Sequence, residues 1–177
     1  MIAVDTVNLK NDIDKLNRLI SEYEEIQLNL FNELKDSCIN WQDGNSLLFD
    51  EKIYLEKVEA NAILESLSDR KSILVFVYDR YSSLGKKIKC NLDNKSKLIN
   101  YIQECINEAN SITNSLSSID YNSGLENKMV LVKRKLMEIK KVINQFFDKV
   151  EMFEKDINNQ INKLEKVIIN EFNYKVN

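Results

Sequence analysis

"SCINWQDGNSLLFD" (residues 37–50) holds the only tryptophan of the chain and one of its three glycines. Asn40, Asp43, Gly44 and Asn45 are turn formers, each able to take or support a backbone that a helix cannot use. The sequence on both sides is long, polar and free of proline. Proline and glycine cost most in helix interiors. A chain of 177 residues with no proline and three glycines is therefore built for long helices. The stretch reads as the bend of a helical hairpin.

Upstream, Leu9, Ile13, Leu16, Ile20, Tyr23, Leu30 and Leu34 step by 4, 3, 4, 3, 7 and 4, with Gln27 in the gap. That is a heptad seam on a helix spanning about 5–40, ~50 Å long. Asp5 or Thr6 is placed to cap its start. Downstream, a less regular helix over 46–81 carries Phe49, Ile53, Ala60, Ile63, Leu67, Leu74 and Val77 on its inner side. Its "ILVFVY" (73–78) is apolar all round, which means burial on several sides; a short β-strand is the other reading. "KKIKC" (86–90) reads as a solvated loop.

A third seam follows over 92–118, at Leu98, Ile102, Cys105, Ala109, Ile112, Leu116 and Ile119. "IDYNSGLEN" (119–127) breaks it. The last helix, 124–174, carries Leu125, Met129, Val132, Leu136, Ile139, Ile143, Phe146, Val150, Phe153, Ile157, Leu164 and Ile168.

The two bends match. Trp41 and Gly44 recur as Tyr121 and Gly124, each pair at an offset of 80, and Leu16, Ile20, Leu30 and Leu34 recur at an offset of 82. The expected fold is all-α: a single helical domain over 1–177, with one antiparallel hairpin at 5–81 and a second at 92–174. They form either a bundle or an elongated rod. In each bend glycine supplies backbone freedom, and the aromatic ring lies over the open end of the seam. The last helix outruns the others. Its stripe through Phe153, Ile157, Ile161, Leu164 and Ile168 is expected to be exposed, and to pack on a partner.

Two long helices joined by a bend with Trp-x-Gly mark the WXG family of small type VII secretion substrates. "NWQDGNSLLFDEKI" resembles that bend through Trp41, Gly44 and Phe49. It also resembles the helical N-terminal regions of LXG toxins and their small co-secreted partners in Gram-positive bacteria. The spacing here is one residue longer, Trp-x-x-Gly. The family's Tyr-x-x-x-Asp/Glu export signal has no match after the second helix, where Tyr78 is followed four residues on by Ser82. The resemblance implies a non-enzymatic helical protein that pairs with another such protein, with the helical N-terminus of a toxin, or with itself. It also implies export by a membrane ATPase machine, with the signal supplied by a partner. The alternatives are a cytoplasmic helical adaptor or export chaperone, or a phage structural coiled-coil protein.

The remaining composition narrows the function classes. There is no histidine for acid–base work and no glycine-rich phosphate loop, so no enzyme and no cofactor are expected. Cys38, Cys90 and Cys105 match no zinc spacing and read as buried or half-buried thiols. Net charge is −3 with Lys and Glu interleaved, which gives no footprint for nucleic acid. No basic start with an apolar run opens the chain, so no signal peptide is expected. No run approaches ~18 apolar residues, so no membrane insertion is expected.

Overall fold

The structure, a computed structural model, describes residues 1–38, 44–118 and 123–175, with side chains through residue 166 apart from those of Cys38, Gly44 and Ser123. The chain is all-α in substance. Four helices, α1 (Thr6–Cys38), α2 (Gly44–Ser82), α3 (Lys95–Ser117) and α4 (Ser123–Lys175), carry nearly all of it. Two four-residue strands, β1 (Ile2–Asp5) and β2 (Lys87–Cys90), pair with each other. The expected helix limits hold to within a few residues. Two compact units emerge: Met1–Val4 with Ile88–Asp156, and Asp5–Lys87 with Ile157–Asn177.

In the second unit, α1 begins where Asp5 turns the strand into the helix. Its Oδ1 accepts from the N–H groups of Val7 and Asn8, both at 3.1 Å, which satisfies two donors of the first turn. Thr6 is buried and ties the far end of the hairpin. Its N–H donates to the carbonyl of Lys86 at 2.9 Å, and its Oγ1 donates to the carbonyls of Gly85 and Lys86 at 3.1 Å. Gly85 has φ +137°, a backbone that side-chain-bearing residues avoid.

α1 and α2 run antiparallel and lie close together. Gln27 meets Asn61, and Lys10 sits 5.9 Å from the Tyr78 ring centre, so positions rise on one helix as they fall on the other. The inner face of α1 carries Ile13, Leu16, Ile20, Tyr23, Gln27, Phe31 and Leu34. One expected position is corrected: Leu30 is exposed and Phe31 is buried. The steps become 3, 4, 3, 4, 4, 3: Ile13, Ile20, Gln27 and Leu34 keep the seven-residue spacing, and Phe31 sits one position beyond the regular place. On α2, Ile63 is exposed rather than inner. "ILVFVY" is helical, and all six side chains are half-buried, so the strand reading is set aside.

"KKIKC" is corrected from a loop: its last four residues, Lys87–Cys90, are the strand β2. β2 alternates, with Lys87 and Lys89 exposed and Ile88 and Cys90 buried, the period-2 pattern of a half-buried strand. Asp5 lies 3.8 Å from Lys87, and Thr6 bonds Lys86, so β1 and β2 pair antiparallel. A short turn follows, with Asn91 Oδ1 accepting from the N–H of Asp93 at 3.2 Å. α3 and α4 are then bridged by side chains in antiparallel order. Ser117 Oγ donates to Glu126 Oε1 at 3.0 Å. Lys140 Nζ donates to Gln103 Oε1 at 2.6 Å. Lys95 Nζ reaches Asp148 Oδ1 at 2.8 Å and Glu151 Oε2 at 2.9 Å. Between these rungs lie the buried side chains of Ile102, Ile106, Ala109, Phe147 and Val150, and Phe153 is buried just beyond the last.

Candidate protein-interaction surfaces

Trp41 and Tyr121, half of the expected bend motif, lie outside the described residues. Gly44 opens α2 and Gly124 is the second residue of α4. The expectation that glycine is needed at Gly124 for backbone freedom is corrected. It has no positive φ, and a Cβ built there meets nothing within 4 Å. Among the described residues, the glycine with a positive φ is Gly85.

The expected partner stripe is placed as follows. Phe153 is 6% exposed, so the expectation of a bare stripe is corrected at that residue: the ring is already covered within the chain. Ile157 and Leu164 are half-buried, and Ile161 is 37% exposed. Ile168 is in α4, but its side chain lies outside the described set.

A different stripe on α4 is open. The seam assigned from sequence took Leu125, Val132 and Ile139 as inner. They are exposed, and the half-buried column one residue later holds Glu126, Lys133 and Lys140. α3 is rotated in the same sense. Leu98 and Ile112 are exposed, while Ile99, Ile106 and Thr113 turn inward with the shared positions Ile102, Ala109 and Leu116. Lysine stems cover apolar surface while their heads find polar partners, which is how Lys140 occupies an inner position against Gln103.

This rotation leaves α4 with apolar side chains on its flank beside a cluster of cations. Lys128, Lys133, Arg134, Lys135, Lys140 and Lys141 fall in one stretch of helix with Glu138 as the single acid among them. A shallow groove on this helix is lined by Lys135, Glu138, Ile139, Val142 and Ile143. A second open groove lies between α3 and α4, with Gln103, Ile106, Met137, Lys140, Asn144 and Gln145 among its lining. Charge patterning along α4 is the signal that marks this flank.

α1 carries the opposite character. Leu19, Ile26 and Leu30 are exposed on one flank, with Glu22 and Glu33 exposed beside them. Such alternation of apolar and acidic groups suits contact with a basic helix.

Among the described residues, three titratable groups are shifted upward from their ordinary values. Hydrogen bonds to Asp148 and then to Glu151 hold the Lys95 ammonium above the usual lysine range. A hydrogen bond to Asp14 does the same for Lys10. Burial pushes the Cys90 thiol up, away from the reactive thiolate. Cys105 is half-buried. Among the described residues, no group of His, Cys, Asp and Glu is arranged to hold a metal ion, and no helix is long and apolar enough to cross a membrane.

No protein-family model, no curated protein and no solved structure matches this chain.

Proposed function

We propose that the chain is a non-enzymatic helical protein that works by laying its helices against those of another protein. The observation that carries this reading is the run of large apolar side chains left open on long helices: Leu19, Ile26 and Leu30 on α1, Leu48 and Leu55 on α2, and Leu125, Val132 and Ile139 on α4. Apolar side chains recurring at helical spacing, flanked by charge, suit helix-on-helix recognition.

The more specific reading is a partner or targeting protein of a type VII secretion substrate or LXG toxin. Its support is the resemblance of the Trp41–Gly44 bend to the WXG family. Two measurements test it. The chain is used as bait for the helical N-terminus of a neighbouring toxin, and the culture medium is assayed for the chain with and without the secretion ATPase. Capture of the toxin, with ATPase-dependent appearance in the medium, supports the reading. Capture with full retention in cells points to the cytoplasmic adaptor or export chaperone. Absence of any captured helical protein overturns both.

A further inference from the structure

Two of the open stripes share one pattern with opposite charge. On α1 it is Leu19-x-x-Glu22-x-x-x-Ile26, and on α4 it is Val132-x-x-Lys135-x-x-x-Ile139. Leu19 is 60% exposed, Ile26 65%, Val132 44% and Ile139 49%. Glu22 and Lys135 are exposed as well. Among the described residues, the side chains of Glu22, Lys128 and Lys135 take part in no hydrogen bond or ion pair. Residues 3 and 7 apart lie on one side of a helix, so each triplet is a short apolar strip with a charge set into it.

We infer that two copies of this chain associate by laying the Val132–Lys135–Ile139 stripe of α4 in one copy on the Leu19–Glu22–Ile26 stripe of α1 in the other. The inference rests on the reading that the chain acts by helix-to-helix contact, and names a second copy as one occupant of that surface. Charge complementarity selects it. An α4 stripe facing another α4 stripe would set Lys128 and Lys135 against their own kind, and α1 facing α1 would do the same with Glu22 and Glu33. The cross pairing matches both. In an antiparallel register Ile139 meets Leu19 and Val132 meets Ile26, so Lys135 falls beside Glu22. One repeat further on, this register brings Lys128 to Leu30 and Leu125 to Glu33, so the charge match rests on Lys135 and Glu22. The apolar pairs supply the attraction, and the charge pair sets partner and register. Each copy carries both stripes, so the contact closes as a reciprocal dimer or adds further copies as concentration rises.

Light scattering of the full chain, with circular dichroism to confirm helix content, tests this. At low salt and micromolar concentration the mass is expected to exceed the 20.7 kDa of one copy. Lys135→Glu alone and Glu22→Lys alone are each expected to weaken association about tenfold. Both changes on one chain restore the charge match and are expected to recover it. A chain that stays monomeric overturns the inference, and if it still captures another helical protein the proposed function stands without it. Association that the charge variants leave unaltered overturns it. So does an effect of Lys135→Glu without one of Glu22→Lys, which would take Glu22 out of the contact.

Discussion

Gln27 and Asn61 meet across the α1–α2 seam, with Gln27 Nε2 donating to Asn61 Oδ1 at 2.7 Å. Gln27 is 8% exposed, and its Oε1 has no hydrogen-bond partner among the described residues. A buried carbonyl oxygen left without a donor costs about 1–3 kcal/mol, against about 1 kcal/mol for the bond its amide makes. Polar residues at such seam positions fix register at a cost in stability. Gln27→Leu fills the site with apolar atoms and leaves Asn61, an exposed residue, to water. The expected outcome is a gain of about 1 kcal/mol, read as a rise of about 2–4 °C in Tm. A lower Tm would show that the Gln27–Asn61 bond outweighs the orphaned oxygen.

Gly85 and Gly124 separate two reasons for a glycine. Both have open space where a Cβ would stand, so neither is held by packing. Gly85 has φ +137° and presents its carbonyl to Thr6 Oγ1, so Gly85→Ala is expected to cost about 1–2 kcal/mol in backbone strain alone. Gly124 sits in the first turn of α4 with a negative φ. There alanine is a better helix former, and Gly124→Ala is expected to be neutral or stabilising by up to ~1 kcal/mol. Denaturant midpoints of the two variants give the comparison, and equal losses would contradict it.

Cys90 ties stability to alkaline pH. Burial raises its folded pKa above the ordinary thiol value of 9.0. As pH climbs past that value the unfolded chain gives up the thiol proton while the folded chain retains it. Stability is therefore full below the ordinary value and falls as pH rises towards the folded one. Lys95, also raised, acts in the same direction from 10.5 upward, because its pairs with Asp148 and Glu151 need the charged ammonium. Urea midpoints taken from about pH 8 to about pH 10.5 should decline, and Cys90→Ala should flatten the lower part of that decline. An unchanged slope in Cys90→Ala would remove the thiol from the account.

The helices were legible because length and period speak directly: no proline, three glycines, and apolar residues recurring every three or four. The rotation of α3 and α4 was not, because each presents two adjacent columns. On α3 the columns Leu98–Cys105–Ile112 and Ile99–Ile106–Thr113 are both apolar enough to face inward. On α4 an apolar rule must choose Leu125–Val132–Ile139 over Glu126–Lys133–Lys140, yet the charged column is the half-buried one. Glu126 and Lys140 have cross-helix partners in Ser117 and Gln103, and a pairing between distant residues leaves no mark in local periodicity. The strand pair was hidden for a related reason. β1 and β2 are four residues each, and the bonds that join their ends run from Thr6 to Gly85 and Lys86, about eighty positions away.

The far part of α4 decides whether its apolar stripe is core, interface or both. Phe153 and Val150 are covered, at 6% and 0% exposure, whereas Ile161 on the same helix is 37% exposed. Truncating a buried phenylalanine removes its transfer energy and leaves a cavity. Phe153→Ala is therefore expected to cost about 3–5 kcal/mol. Ile161→Ala removes methyl groups that already touch water, and is expected to change stability by less than ~1 kcal/mol. Ending the chain after Asp148 would confuse the two, since it deletes Val150 and Phe153 together with everything beyond them. Point substitutions keep them apart: thermal melts report the core, and light scattering or capture of a helical partner reports the surface. If Ile161→Ala melts normally but captures less partner, α4 uses its outer stripe for binding beyond the last core ring. A Phe153→Ala variant as stable as the parent would mean that this ring, covered as it is, contributes little to the fold, and the division of the stripe at Phe153 would have to be given up.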